Sequence, residues 1–558
     1  MVREDSKTGG GPGAPGREPE SVAVALFDSG AMAPADLDRM ARALKADPRV
    51  EFVAGPYRDL NKKSLEKLGD ILSRRGVKRV LVAGASDRLF GRLIREALEP
   101  RGVDPSLVAI IDFDQAEGAR AGRSRAERLL KLISASAASL AIASPVETLE
   151  AAIRPSSLVI GGGVAGIAAA AALARRGVKV TLVEKEKDLG GLIRHLNAVF
   201  PAYVPPSDFI RARLDELGGG QVEIIKGAEP VSMSGHVGDY EVKLSSGKTV
   251  EAGTIIVATG GALHEPHGLF GYGDFEHVIT QMQLETIMKS GERPGENVVM
   301  IQCAGSRIPE RPYCSRICCT ASIKNTVLMK QKFPEINVTI LSRGFAEYAG
   351  DLDRAREMGV EIIRYSTERP PVVGGESVEV YDEISDREEV ISADRVVLAV
   401  PFVPSESTRE VARVLRLPTD TYGFIIEPEP KLRPGEFVPR GIYVAGAAHW
   451  PATITDSVVQ GYSAASRAFD LISQGTVSKL AFVSRLEESL CRGCGRCADA
   501  CMHGAIELVE AEDGLKQAVH LPIQCTGCGV CVSVCPSGAF SLGYISSRQI
   551  GSIIEAIV

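Results

Sequence analysis

The chain has a single tryptophan, few aromatic residues of any kind, and no surplus of positive charge: 64 Lys and Arg stand against 71 Asp and Glu. Without a basic stripe or a stacking platform it lacks both the electrostatic footprint and the aromatic surface of a nucleic-acid binder. There is no Ser-His-Asp set, no HExxH pair and no Walker glycine loop, so hydrolase and NTPase chemistry has no residues to carry it. No signal-peptide pattern opens the chain, and cysteine is absent before Cys303. Disulfides belong to oxidising compartments, so a cytoplasmic protein whose thiolates bind metal is expected. One stretch, 156–174, is apolar enough to imitate a membrane helix. It is interrupted by Gly161, Gly162, Gly163 and Gly166 and reads instead as strand, turn and helix, so no transmembrane span is predicted.

What the chain does hold is 12 cysteines, eight of them in two tail runs: Cys491, Cys494, Cys497, Cys501 and Cys525, Cys528, Cys531, Cys535. Both are spaced C-x2-C-x2-C-x3-C. In a two-cluster ferredoxin each run gives three thiolates to one cubane and its fourth to the neighbour. The spacing therefore assigns Cys491, Cys494, Cys497 and Cys535 to one 4Fe-4S cluster, and Cys525, Cys528, Cys531 and Cys501 to the other. Structural zinc would use two pairs per metal, not triplets trailed by a fourth cysteine. Pro536 follows Cys535 as the motif expects, whereas Met502 replaces the proline that usually follows the first run. The chain is expected to move single electrons.

A second signature begins at Leu158 and ends at Gly166, reading Leu-Val-Ile-Gly-Gly-Gly-Val-Ala-Gly. A strand precedes it, an alanine-rich helix follows, and a further strand, 179–183, ends in the acidic Glu184 about 20 residues on, the full context of a dinucleotide-binding turn. Gly161 permits the turn, Gly163 lets backbone approach a pyrophosphate at the helix N-terminus, and Gly166 lets the helix pack on the strand. Glu184 is placed to accept from an adenosine ribose, and its charge disfavours a 2′-phosphate. Gly190, Gly191 and Arg194 resemble the second glycine pair and arginine of flavin disulfide-reductase-type proteins. The strand ending at Gly260 and the one ending at Gly446 resemble the two that pass beneath the flavin. Together they favour FAD over NAD.

Flavoproteins of this kind usually carry a second nucleotide fold for NAD(P)H. Here the corresponding strand, 297–301, is present but runs into Cys303, Cys314, Cys318 and Cys319 in place of a glycine loop. Without that loop a pyrophosphate has no cradle. Four thiolates at C-x10-C-x3-C-C suffice for a third 4Fe-4S cluster, although the spacing alone also allows a redox dithiol at Cys318–Cys319 or buried inert thiols.

The segments read as an unstructured tail over 1–20, an N-terminal α/β domain over 21–152, an FAD domain from 156–290 and 395–475, a degenerate nucleotide domain over 291–394, and a ferredoxin domain over 476–558. The N-terminal domain alternates apolar strands (22–27, 50–53, 79–83, 107–111) with helices (35–45, 89–98) and shows no catalytic cluster, which favours docking or scaffolding.

Taken together, the chain resembles the A-type flavoprotein of heterodisulfide reductase and its relatives. The resemblance is carried by Gly161 to Gly166, Gly273-Asp274 with Val278-Ile-Thr280, Ile301 to Arg307, Arg311 to Cys319, and the double ferredoxin tail. It implies an α/β fold: a thioredoxin-reductase-like flavoprotein with two dinucleotide-binding-type folds, the second degenerate, plus N-terminal α/β and C-terminal ferredoxin domains. It also implies FAD, a third cluster on Cys303, Cys314, Cys318 and Cys319, and electron transfer within a cytoplasmic complex. Partners would be the B-type and C-type components of such a complex, or hydrogenase or dehydrogenase subunits, with ferredoxin-like carriers, and the complex leaves room for a homodimer. Many members read Gly-Pro-Lys-Asp near the last flavin strand, where this chain reads His449-Trp-Pro-Ala-Thr453. Loss of that lysine weakens the case for flavin-based electron bifurcation. His449 and Trp450 are the flavin-proximal candidates in its stead. The alternatives are an NAD(P)H-dependent reductase of the glutamate-synthase small-subunit type and a non-catalytic electron relay.

Overall fold

The computed structural model describes residues 20–28, 30, 32–113, 125–218, 221–345, 351–431, 433–437, 441–510 and 514–557. Residues 1–19 of the expected tail lie outside them, while Glu20 already hydrogen-bonds through its N–H to the Ala141 carbonyl at 3.0 Å. The chain divides into two compact units, one of residues up to Leu149 together with Ser478 onward, the other of Glu150–Val477. Among the described residues no helix is long and apolar enough to cross a membrane.

The first unit holds a parallel four-stranded sheet in the order β2-β1-β3-β4, formed by β1 (Val22–Phe27), β2 (Val50–Tyr57), β3 (Arg79–Ala83) and β4 (Val108–Ile111). All six residues of β1 are buried, as expected of a parallel strand covered on both faces. Val22, Val24 and Leu26 pack with Leu37, Met40 and Ile133 of α1 (Pro34–Lys45) and α4 (Arg125–Ala141). Ala23, Ala25 and Phe27 face Leu65, Leu68 and Ile94 of α2 (Lys62–Arg75) and α3 (Asp87–Leu98). The alternation is the two-residue period of a strand deciding which helix each side chain meets. In the tail the strands Ser484–Leu486 and Phe540–Leu542 pair antiparallel, as do Ile506–Glu510 and Lys516–His520. Among the described residues Cys497, Cys531, Ile506, Ala518 and Phe540 form a small core cluster. So small a core needs further staples such as metal.

The second unit is built on two parallel five-stranded sheets. One has the order β14-β8-β5-β6-β7, with β5 (Ser156–Ile160), β6 (Lys179–Glu184), β7 (Val222–Lys226), β8 (Thr254–Val257) and β14 (Ile442–Val444). Helix α5 (Val164–Ala174) follows β5. The other has the order β9-β13-β10-β11-β12, with β9 (Val278–Thr280), β10 (Asn297–Ile301), β11 (Asn337–Ser342), β12 (Glu361–Arg364) and β13 (Arg395–Leu398). Helices α6 (Gln281–Ser290) and α7 (Cys318–Lys332) lie against it, and α8 (Ile454–Ser473) closes the first sheet. The chain passes between the two sheets and back through the antiparallel pair Gly261–Leu263 and Phe402–Pro404.

Candidate redox cofactor sites

Because β14, β8, β5 and β6 are neighbours, the turns that leave their carboxyl ends gather at one edge of the sheet. Gly161 turns there with φ +111°, and a Cβ on it would lie 2.3 Å from the Ala258 carbonyl oxygen. A Cβ on Gly166 would meet the Gly161 oxygen at 1.8 Å. The close approach that Gly166 permits is therefore to the turn itself rather than to the strand. Gly163 differs: it caps α5, and its Cβ would have nothing within 4 Å. That open place at a helix N-terminus, where free N–H groups concentrate, fits a pyrophosphate. The second glycine pair lies on the first, since the Gly190 N–H donates to the Gly162 carbonyl at 2.7 Å. Gly190 and Gly191 both have positive φ, and Arg194 follows in the turn Gly191–His195, its Nε donating to the Gly191 carbonyl at 3.3 Å.

Glu184 is buried, and its carboxylate accepts from the Gly162 N–H at 2.6 Å and from the Glu186 N–H at 2.8 Å. The Gly260 carbonyl accepts from the Thr408 hydroxyl at 2.7 Å, and the Gly446 N–H donates to the Gln460 side chain at 2.8 Å. A Cβ on Gly446 would touch Ala165 of α5 at 2.9 Å, so this turn too sits on the first turn of the glycine helix.

His449 and Trp450 are given mainly to each other and to the protein. The rings stack at 3.8 Å between centroids, and His449 Nε2 donates to buried Glu427. Burial would raise the Glu427 carboxyl, but the bond from His449 and backbone N–H groups outweigh it and hold it below its ordinary value. Trp450 remains 41% exposed. A buried ion pair that the sequence reading missed lies elsewhere in this unit. Lys324 of α7 is bonded to Glu285 of α6, donates to the Ala198 carbonyl at 3.0 Å, and is 3% exposed. Glu285 also accepts from the Asn197 N–H at 2.7 Å, just beyond the Arg194 turn. Burial pulls the Lys324 ammonium below its ordinary value while Glu285 opposes the shift.

In the second sheet β10 leads into Cys303, which has φ +58°, and α7 opens on Cys318 and Cys319. Arg307 (φ +54°) and Arg316 (φ +63°) share the left-handed conformation, so three non-glycine residues in this loop are held where side chains are costly. The Cys314 sulfur accepts from the Arg316 N–H at 3.3 Å, and Cys318 donates to the Val400 carbonyl at 3.4 Å. Burial pushes the Cys318 thiol up, and the neighbouring Cys319, Cys303 and Cys314 thiols push it further. All four therefore share one neighbourhood. Arg316 also pairs with Asp456 at 3.4 Å, in the first turn of α8, which follows Gly446.

Cys491, Cys494, Cys497 and Cys535 line a single cavity, the last drawn from the other run. Burial raises the Cys531 thiol, with Cys525 and Cys501 among its charged neighbours, and Tyr544 lies beside Cys525 and Cys528. Backbone N–H groups of Ala505, Gly527 and Ala539 point at the sulfurs of Cys501, Cys525 and Cys535 at 3.3, 3.4 and 3.3 Å. Such donors stabilise thiolates that carry cluster charge. Among the described residues no three His, Cys, Asp or Glu side chains converge to chelate a single ion. The fit to clusters rests on the shared cavity, the shared neighbours and these donors.

Residues 155–301 match the pyridine nucleotide-disulphide oxidoreductase family, and 490–539 match the 4Fe-4S dicluster domain. The second A-type iron-sulfur protein of the CoB–CoM heterodisulfide reductase of Methanopyrus kandleri is 28% identical over 79% of this chain and 83% of its own length. The chain is similar to the A-type flavoprotein of heterodisulfide reductase. The first A-type protein of the same organism is 29% identical over 88% of this chain and 90% of its own length. The chain is an oxidoreductase of the FAD and iron–sulfur type, and among its described residues no helix is long and apolar enough to cross a membrane. Among solved structures, thioredoxin reductase of T. acidophilum is 20% identical at TM-score 0.42, covering 56% of this chain and 97% of that one.

Proposed function

We propose that the chain is the FAD and iron–sulfur electron-transfer subunit of a heterodisulfide-reductase-like complex in the cytoplasm, with two tail clusters and a third on Cys303, Cys314, Cys318 and Cys319. The observation that carries this reading is the loop after β10, where four cysteines stand in place of the glycine turn found after β5. When bound, FAD exchanges two electrons, whereas each cubane takes one. The residues of the first sheet then have separable tasks. Gly163 leaves room for the pyrophosphate, Glu184 braces the glycine turn and faces the ribose, and Gly190, Gly191 and Arg194 cover the nucleotide from the second loop. Arg316 ties the cysteine loop to the first turn of α8 through Asp456, joining the two candidate sites of this unit. Flavin-based electron bifurcation stays within the reading although the 449–453 run lacks the family's lysine. Redox proteins resembling the B-type and C-type components, or hydrogenase or dehydrogenase subunits, and ferredoxin-like carriers would supply and remove the electrons.

Anaerobically purified protein should be reduced by dithionite and by neither NADH nor NADPH. It should carry about 12 irons, three cubanes of four. Changing Cys318 and Cys319 to serine should lower the count to about 8 and leave FAD bound, because serine is a far poorer iron ligand. Reduction by either nicotinamide would defeat the proposal. Full iron content in the double variant would return Cys318 and Cys319 to a dithiol or to core packing.

A further inference from the structure

The two tail sites share a design, and what differs between them has a physical direction. Cys501 and Cys535 hold corresponding places in the two runs, and each sulfur accepts from the N–H four residues on, Ala505 or Ala539, at 3.3 Å. That contribution is common to both. The Cys491 site adds the half-buried Ser537, whose hydroxyl lies 3.5 Å from the Cys535 sulfur, and Arg492, which lines the cavity but is exposed and therefore screened by water.

The Cys525 site adds more, while its four cysteines match those of the Cys491 site in exposure. Ser484, 2% exposed, places its hydroxyl 3.5 Å from the Cys525 sulfur and 3.2 Å from His520 Nε2. When Cys525 is a thiolate ligand it has no proton to give, so the serine hydroxyl donates to it and accepts in turn from His520. The Gly527 N–H gives Cys525 a further donor at 3.4 Å. Lys479 donates to the Cys525 carbonyl at 2.6 Å, half-buried, where its charge is less screened than that of Arg492. The surroundings thus favour negative charge at this sulfur.

Hydrogen bonds to cluster sulfurs and nearby charge are among the terms that set a cluster's reduction potential. We infer that Lys479 and Ser484 make the Cys525 site the more oxidising of the two tail sites, so that an electron shared between them rests there. The inference rests on the cluster assignment proposed above. The transfer is one electron from the Cys491 site, oxidised, to the Cys525 site, reduced, with no bond made and no proton moved. It gives the tail a direction, with the Cys491 site as the entry or exit of lower potential.

Potentiometry of the full anaerobic chain, followed by electron paramagnetic resonance, tests this. K479M and S484A should each lower the higher tail midpoint by about a tenfold change in occupancy, 59 mV for one electron. K479R should restore it, and S537A should leave that step in place while lowering the other. Iron content is measured on every sample. Unchanged higher midpoints in both K479M and S484A at the parent's iron content would overturn the inference. A parent chain without tail iron would instead defeat the cluster assignment on which it rests.

Discussion

The backbone N–H of Gly162 donates to the Glu184 carboxylate at 2.6 Å, so the acid that ends β6 is a brace for the glycine turn before it is a ribose ligand. The same carboxylate accepts from the Glu186 N–H at 2.8 Å, which leaves few lone pairs uncommitted. Ribose recognition and turn geometry therefore depend on one side chain.

Glu184→Ala would strip both N–H groups of their acceptor. An unsatisfied buried donor costs about 1–3 kcal/mol, so FAD should bind about tenfold to a hundredfold more weakly. Glu184→Gln keeps one acceptor oxygen and should lose less. Flavin fluorescence titration of the apoprotein measures both. Equal, undiminished affinity in the two variants would remove Glu184 from the site.

Gly163 and Gly166 should separate binding from folding. A Cβ on Gly166 would lie 1.8 Å from the Gly161 oxygen, whereas one on Gly163 meets nothing within 4 Å. Gly163 is also in an extended conformation, φ −75° and ψ −179°, that any residue adopts. Gly166→Ala should therefore unfold the apoprotein at a lower temperature. Gly163→Val should leave the apoprotein's melting temperature nearly unchanged and abolish flavin retention, since its side chain would fill the place proposed for the pyrophosphate. Retained FAD in Gly163→Val would show that the nucleotide lies elsewhere.

These glycines were legible in the sequence because a tight turn between strand and helix imposes a local pattern, and the tail's cysteine spacing anticipates the cavity that Cys535 shares with Cys491. Strand 50–53 was read short: β2 runs on to Tyr57, through a Gly-Pro pair that ordinarily signals a stop. What escaped were pairings between distant segments. Nothing local says that Lys324 meets Glu285, 39 residues away, or that His449 is bonded to Glu427 and stacked by Trp450. Both depend on how helices and loops pack, which periodicity does not encode. A buried lysine within α7 was the one available signal, since a charge flanked by apolar positions on a helix needs a partner.

That pair yields the last prediction. Lys324 is the only lysine or arginine of the second unit among its buried described residues, and Glu285 is 2% exposed. Removing one member leaves the other charged in a place water does not reach, which typically costs about 3–5 kcal/mol. Lys324→Met should therefore lower the melting temperature of the apoprotein substantially, and Glu285→Leu added to it should recover most of the loss, because an apolar pair of similar volume replaces the ion pair. The two readouts then part company. If Lys324 serves only to hold α6, α7 and the Asn197–Ala198 segment together, the double variant regains stability and keeps the flavin potential. If its cation also acts on the reduced, anionic flavin more strongly than the Glu285 carboxylate opposes it, the double variant regains stability while the flavin midpoint stays shifted to more negative values. The first result is expected, because Lys324 spends its charge on Glu285 and the Ala198 carbonyl. A parent-like midpoint in the stabilised double variant would confine Lys324 to architecture, whereas one shifted to more negative values would overturn that expectation.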